Sequence, residues 1–471
     1  MRNILITTLV LITFCITDAQ EKLGKVFGET WVEIDSMHEA RVGHAMVILP
    51  DGNILVTGGE ANGNIASCEI YDLNTDKWRY TTSMNIARAR HSLVLLKGGK
   101  VLAIGGYRER SCELFDPLTE TWTITDSVPT LRLDNHTVTI LKDGRILIAG
   151  GFRYSQDFTH VEYLNNCEIY NPVTESWSIV DSLITGRWGH TAILLEDGKV
   201  LIAGGSTLNA LRSCEIYDPI NNKWSATTSM KESRSMPASI LLPNGNVFIS
   251  GGDSPGTKKS CEIFDVKNKE WSYSSEMLDY RSGHKIYLIS NKNQLLFFGG
   301  ADFQSTYEDT WETYDQINLT PVNRGIFPIK KINEAGNSIK LNDERIALIG
   351  GEEFEMTSLP FRWPSKRCHI LNLVTSVENL ERIPQDYLLF QNFPNPFNPT
   401  TKIGFFITSY SKVRLEVYDI TGRLIQVLIN SYKQQGYHEA EFNSEKLTSG
   451  VYFYKITANN YSEVKKMILL K

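Results

Sequence analysis

The chain has 471 residues, 42% of them hydrophobic and 22% charged, with a formal net charge of -6. Such a chain is long enough for one large globular domain and a smaller companion. The charge balance excludes a surface that holds nucleic acid or anionic lipid through overall positive charge, and it names no partner.

Residues 1–19 have the order of a signal peptide: Arg2 precedes an apolar run from Ile4 to Ile16, and Thr17-Asp18-Ala19 follows. That run falls short of the roughly twenty residues needed to cross a hydrocarbon core, and no later stretch approaches that length, so no transmembrane segment is expected. Cleavage is expected after Ala19. Cys15 raises lipid attachment, but Phe14 stands where that processing wants a small residue. Residues 20–30 then form a lead-in.

From there a glycine pair follows a short apolar run seven times, at Gly58-Gly59, Gly105-Gly106, Gly150-Gly151, Gly204-Gly205, Gly251-Gly252, Gly299-Gly300 and Gly350-Gly351. A period near 50 residues is the mark of a propeller whose units are four-stranded sheets, each unable to bury its faces until neighbours stack on it. In the first unit, Ala45 to Leu49 and Asn53 to Thr57 flank Asp51-Gly52, a hairpin signal. The second strands, such as Ile146 to Ala149, are apolar throughout, as strands covered on both faces must be. Third strands read Cys68-Glu-Ile-Tyr-Asp72, Cys112-Glu-Leu-Phe-Asp116, Cys167-Glu-Ile-Tyr-Asn171, Cys214-Glu-Ile-Tyr-Asp218 and Cys261-Glu-Ile-Phe-Asp265. Trp78, Trp122, Trp177, Trp224 and Trp271 follow them, each placed to cover the gap between blades. Double glycine, then Tyr-Asp, then Trp resembles the kelch motif over residues 31 to about 373. An all-β, seven-bladed kelch-type β-propeller over residues 31–375 is therefore expected.

Two units depart from the pattern. The sixth and seventh, with third strands Trp311–Asp315 and Cys368–Asn372, lack the following tryptophan, while an unpaired fourth-strand signature, Trp31-Val-Glu-Ile-Asp35, opens the repeats. Residues 31–35 are expected to complete blade seven, leaving the ring no free edge; blade six is expected to use residues 316–322.

Histidines 44, 91, 136, 190 and 284 recur at one repeat position, as do Arg41, Arg88, Arg132, Arg187, Arg234 and Arg281. A residue repeated in most blades serves the fold, whereas catalysis needs unlike residues converging on one point. The histidines are thus expected as structural groups, with no metal site. Cysteines at one position in successive blades stand too far apart for disulfides and are expected as buried thiols. No nucleophile elbow, P-loop, His-Glu-x-x-His, EF-hand or dinucleotide fingerprint occurs, so no catalytic residue and no cofactor is assigned.

Residues that break the repeat point to function. The loop between second and third strand is longest in blades three and seven, and carries Phe152, Arg153, Tyr154, His160 and Tyr163 in the one, Phe361, Arg362 and Trp363 in the other. Aromatic and arginine side chains are what binding surfaces favour, and these two loops are expected to face each other across the channel mouth. The alternative is that they prop neighbouring loops.

After a linker at 376–385 the pattern changes: Phe393-Pro-Asn-Pro-Phe-Asn-Pro399 is extended and not helical. Short strands are expected at Val413 to Val417, Leu424 to Ile429, Glu439 to Phe442, Val451 to Ile456 and Met467 to Leu470, a small immunoglobulin-like β-sandwich. The strings QNFPNPFNPTTKI, VYDITGR, LTSGVYFYKI and KKMILLK resemble the type A sorting domain of type IX secretion over residues 386–471. A flagellar hook-capping immunoglobulin-like domain has similar strings and is the alternative; a tail retained on the mature protein would favour it. The first resemblance implies general secretion machinery and a type IX outer-membrane translocon as partners, and passage through the periplasm to the cell surface or the medium. For the propeller, a binding platform for an unknown protein or glycan is expected. The alternative is a secreted carbohydrate-active or other enzyme, since galactose oxidase carries kelch blades, but the tyrosine and histidine positions of its copper site cannot be placed here.

Overall fold

The computed structural model describes residues 29–373, apart from 156, 158, 302–309, 327–330, 333–336, 343–344 and 356–360, and residues 388–470, apart from 390–391, 393–396, 408–410, 434–435, 445–446 and 460. The expected signal peptide, nearly all of the lead-in and the linker lie outside these residues. The chain divides into two compact units, 1–375 and 376–471. No helix among the described residues is long and apolar enough to cross a membrane.

The first unit is built from seven four-stranded antiparallel sheets. Blade one joins Ala45–Ile48, Ile54–Thr57, Cys68–Asp72 and Lys77–Thr81 in that order. The first strands of successive blades lie side by side around the axis. Every residue of the second strands Ile54–Thr57, Ile146–Ala149, Val200–Ala203 and Val247–Ser250 is buried, which explains their unbroken apolar pattern.

The hydrophobic cores sit between blades. Leu55 and Ile70 of blade one meet Val101, Phe115 and Trp122 of blade two, while Ile349 and Ile370 of blade seven meet Ile54, Tyr71 and Trp78 of blade one. The tryptophans that follow the third strand lock these seams. Trp78 donates its indole N–H to Asp35 O at 2.8 Å, Trp122 to Thr82 O at 3.1 Å and Trp224 to Asp181 O at 3.0 Å, each reaching the end of the preceding blade.

The glycine pairs meet the same demand. Gly58 has φ +57°, and a Cβ there would stand 2.3 Å from the carbonyl oxygen of Arg88 in the next blade, so no side chain fits.

Ring closure follows the displaced tryptophan. Glu29–Ile34 is the outermost strand of blade seven, antiparallel to Cys368–Leu373, with Trp31 opposite Leu371 and Ile34 opposite Cys368. Blade six differs from expectation: its fourth strand is Pro321–Ile326 rather than 316–322. Asp315 accepts the N–H groups of Ile317 and Asn318, and its carbonyl accepts Leu319 N–H, which spends those residues on a turn. The six cysteines of the described residues are free and buried; burial pushes the thiols of Cys68, Cys167, Cys214 and Cys261 up to about 12.

The second unit is a β-sandwich. One sheet joins Leu388–Leu389, Thr400–Ile407 and Gly436–Asn443; the other joins Leu424–Lys433, Ser411–Asp419, Gly450–Ala458 and Tyr461–Leu469. Between them Ile403, Phe405, Val413, Leu415, Phe442, Tyr454, Ile456 and Met467 are all fully buried. The expected strands run longer than anticipated, and Thr400–Ile407 was not among them. Of the proline-rich motif, Phe393 to Pro396 lies outside the described residues. Phe397 brackets the last strand, its N–H donating to Ile468 O at 2.9 Å and its carbonyl accepting Leu470 N–H at 3.0 Å.

Candidate ligand-binding face

One face of the propeller carries the blade-to-blade connections and the loops from second to third strand. Its floor is made of buried ion pairs. Arg88 is fully buried; it donates to Gly105 O at 2.8 Å, to Ser111 O at 2.6 Å and to Glu113 at 2.7 Å. Arg41–Glu69, Arg187–Glu215, Arg234–Glu262 and Arg281–Glu312 repeat the pair at 2.7–3.0 Å, and Arg132 contacts Glu168 likewise. Each arginine clamps the second and third strands of its own blade. The backbone carbonyls of Arg41, Arg88, Arg187, Arg234 and Arg281 also accept the second glycine N–H of the preceding blade, as in Gly59 N to Arg88 O at 2.9 Å and Gly205 N to Arg234 O at 2.8 Å. The arginines are therefore structural and are not available to a ligand. The sequence reading missed the glutamates, although a charged second residue in an otherwise apolar buried strand was a visible signal.

The histidines form a second tier. His91 Nε2 meets Thr57 Oγ1 at 2.7 Å, His190 Nε2 meets Thr137 Oγ1 at 2.9 Å and His284 Nε2 meets Ser250 Oγ at 2.7 Å, each in the preceding blade. Burial first, and the nearby arginines second, push the imidazoles of His91, His136 and His190 down to about 3. They stand as neutral hydrogen-bonding groups.

The residue before each histidine position adopts the left-handed conformation: Gly43, Arg90, Asn135, Gly189, Met236 and Gly283 have φ between +53° and +67°. They hand hydrogen bonds around the channel mouth, Arg90 N to Gly43 O at 2.7 Å, Met236 N to Gly189 O at 2.7 Å and Gly283 N to Met236 O at 2.9 Å. Glycine suits this rim; a side chain in that conformation costs about 1 kcal/mol or more. Among the described residues, Arg90, Asn135 and Met236 are thus the rim positions where a side chain is held in that conformation, the cost being least for asparagine. Exposed Arg90 lies 5.8 Å from the Tyr107 ring, which Arg108 flanks at 5.4 Å.

The long loop of blade three is a hairpin in which Phe152–Tyr154 pairs with Val161–Tyr163. Phe152 packs edge-on against Trp188, ring centres 5.8 Å apart, and Arg153 donates to Glu162 at 2.6 Å. Tyr154 is 41% exposed; His160 is exposed beside it and Tyr163 is half-buried. Of the expected group, then, Phe152 props a neighbour and Arg153 is paired with Glu162, while Tyr154 and His160 are the exposed members, His160 Nδ1 lying 3.1 Å from Thr159 Oγ1. The blade-seven loop is a hairpin too, Glu352–Glu355 against Phe361–Pro364, widened by Lys331–Ile332. Its pairing places Phe361, Arg362 and Trp363 opposite Glu355, Phe354 and Glu353; their side chains lie outside those described. Sequence reasoning passed over Trp188 and Tyr107. The signal was the variable middle of the string Arg187-Trp-Gly-His190 for the first and the position directly after Gly105-Gly106 for the second.

Among the described residues, no three His, Cys, Asp or Glu side chains converge as metal ligands. A cavity of about 10 Å³ between blades two and three, bordered by Glu109, Thr130, Arg132 and His136, has room for one water.

The KLHDC2/KLHL20/DRC7 Kelch-repeats domain matches residues 43–252, and the secretion system C-terminal sorting domain matches residues 391–470. No curated protein matches the chain. Among solved structures, the chain is similar to a fungal alcohol oxidase of the AA5 family, in complex with copper, at 13% identity and a TM-score of 0.59, over 94% of this chain and 99% of that one. At that identity the likeness shows the fold alone. The chain is a kelch-repeat propeller with a type IX sorting tail, which directs export to the cell surface or the extracellular space.

Proposed function

We propose that this exported kelch propeller is a binding platform for a protein or a glycan, which it engages on the face that holds the channel mouth and the long hairpins of blades three and seven. The observation that carries this is the concentration of aromatic and cationic side chains there: Tyr154, His160 and Tyr163 beside the Phe152–Trp188 pair, and Tyr107 between Arg90 and Arg108. Rings and guanidinium groups held on rigid hairpins lose little freedom on contact, and each good contact contributes on the order of 1 to 2 kcal/mol. Phe361, Arg362 and Trp363 complete the proposed surface from blade seven.

Glycan-array and pull-down screening of the exported chain would identify the ligand. Alanine at Tyr154 or Trp363 is then expected to weaken its binding at least tenfold while leaving the melting temperature in place. Unchanged affinity, or stability falling in step with binding, would put the site elsewhere.

A further inference from the structure

The seven first strands around the axis begin with Ala45, Ser92, Thr137, Thr191, Ala238, Lys285 and Ser338, and two residues further on stand Val47, Val94, Thr139, Ile193, Ile240, Tyr287 and Lys340. Small or apolar residues fill these positions in five blades. Blades six and seven alone put ionisable groups there, and no first strand holds an acidic residue.

Lys285 Nζ donates to Ser338 O at 2.8 Å, Tyr287 Oη meets Ser338 Oγ at 2.9 Å, and Lys340 Nζ donates to Leu288 O at 2.7 Å. That single bond uses one of the three donors of the Lys285 ammonium, and no described carboxylate lies within ion-pair distance of it. Burial alone pushes its pKa down to about 8, which leaves it largely protonated at neutral pH. Lys285 is half-buried, and a partly desolvated cation with no described counter-charge is stabilised by an anion that comes to it. Lys285 also follows Gly283 and His284 directly, so it stands just inside the channel mouth.

We propose that Lys285, with the hydroxyls of Tyr287 and Ser338, forms a binding site for a single carboxylate group, carried by a ligand that enters through the channel mouth. A monoanion suits the site better than phosphate or sulfate dianions, because Lys285 offers one ammonium, the Tyr287 and Ser338 hydroxyls are neutral and the Lys340 ammonium is engaged by Leu288 O, so a second charge would be dehydrated without a matching partner. This goes beyond the hairpin surface and does not depend on it. The competing account is that the two lysines only tie blades six and seven together through backbone carbonyls.

Calorimetric titration of the full exported chain at low salt, with acetate and glucuronate as probes and glucose, sulfate and phosphate as controls, tests the site. Acetate and glucuronate are expected to bind at one site and glucose not at all, with Lys285→Met weakening both anions at least tenfold, Lys285→Arg retaining part of the affinity and Tyr154→Ala leaving acetate binding unchanged. Should Lys285→Met fail to fold, glucuronate is expected to protect Lys285 of the unaltered protein from amine acylation, read by peptide mass spectrometry. Absence of carboxylate binding, equal binding by folded Lys285→Met, tighter binding of sulfate or phosphate, or no protection would overturn the proposal.

Discussion

Arg88 and Glu113 stand 2.7 Å apart with both side chains fully shielded from water, and the carboxylate also accepts the N–H groups of Asn85 and Ile86 in the connection leading into blade two. The pair thus fastens a connecting loop to the third strand of its blade. Removing one partner leaves a buried charge and several unmatched polar groups. Glu113→Ala or Arg88→Met is expected to lower stability by about 3–5 kcal/mol, and the double replacement Arg88→Met/Glu113→Leu by less than the two losses added together. Because ions do not reach the pair, salt should leave these losses unchanged in chemical denaturation. A loss below about 1 kcal/mol would class the pair with exposed salt bridges.

Closure of the ring depends on a strand from the other end of the repeats. Removing residues 20–36 deletes the partner of Cys368–Leu373, uncovers Ile349 and Ile370, and takes away Asp35 O, the acceptor of the Trp78 indole. The truncated chain should melt well below the parent and associate through its open edge. Melting like the parent would show that the closing strand contributes nothing.

Acid should loosen the seams before it reaches ordinary carboxylates. His91, His136 and His190 have folded pKa values near 3 against an ordinary 6.5, so the unfolded chain binds more protons between those limits. Their contribution to stability is complete above about pH 6.5 and is lost as pH falls toward 3, at up to about 1.4 kcal/mol per pH unit for each histidine. Urea midpoints measured from neutral pH down to about 4.5 should fall steadily. His91→Asn should flatten the slope, and a midpoint that holds level across the range contradicts the assignment.

The tail is held shut from both ends of its own motif, since Phe397 brackets Ile468 and Leu470 while Met467 and Leu469 fill the core. Deleting residues 467–471 should therefore block export as fully as deleting 386–471, with a folded propeller retained in the periplasm in the second case. Host fractionation decides it. Truncated protein at the surface or in the medium would remove the sorting role.

Much of the propeller was legible in the chain because its signals are local and repeated. Gly58-Gly59 answers a backbone conformation that recurs in every blade and a close approach that recurs in most of them, and Trp31 announced closure because it appears without a third strand before it. The fourth strand of blade six starts later than expected because the turn capped by Asp315, like those capped by Asp72 and Asp218, occupies the residues directly after the third strand. In the tail, Thr400–Ile407 was obscured by the prolines that precede it.

The candidate site was legible only as an uneven loop length. Which aromatic and arginine side chains in those loops stay exposed depends on contacts that loop length does not show: Phe152 packs on Trp188 at 5.8 Å and Arg153 donates to Glu162, while Tyr154 is 41% exposed. Composition and motif determined that the chain is a ring of sheets marked for export. The tertiary structure decided which charges meet which groups, because Arg88 finds Glu113 only when a connection folds back on its own blade, and Lys285 of blade six meets Ser338 of blade seven only when the first strands close around one axis.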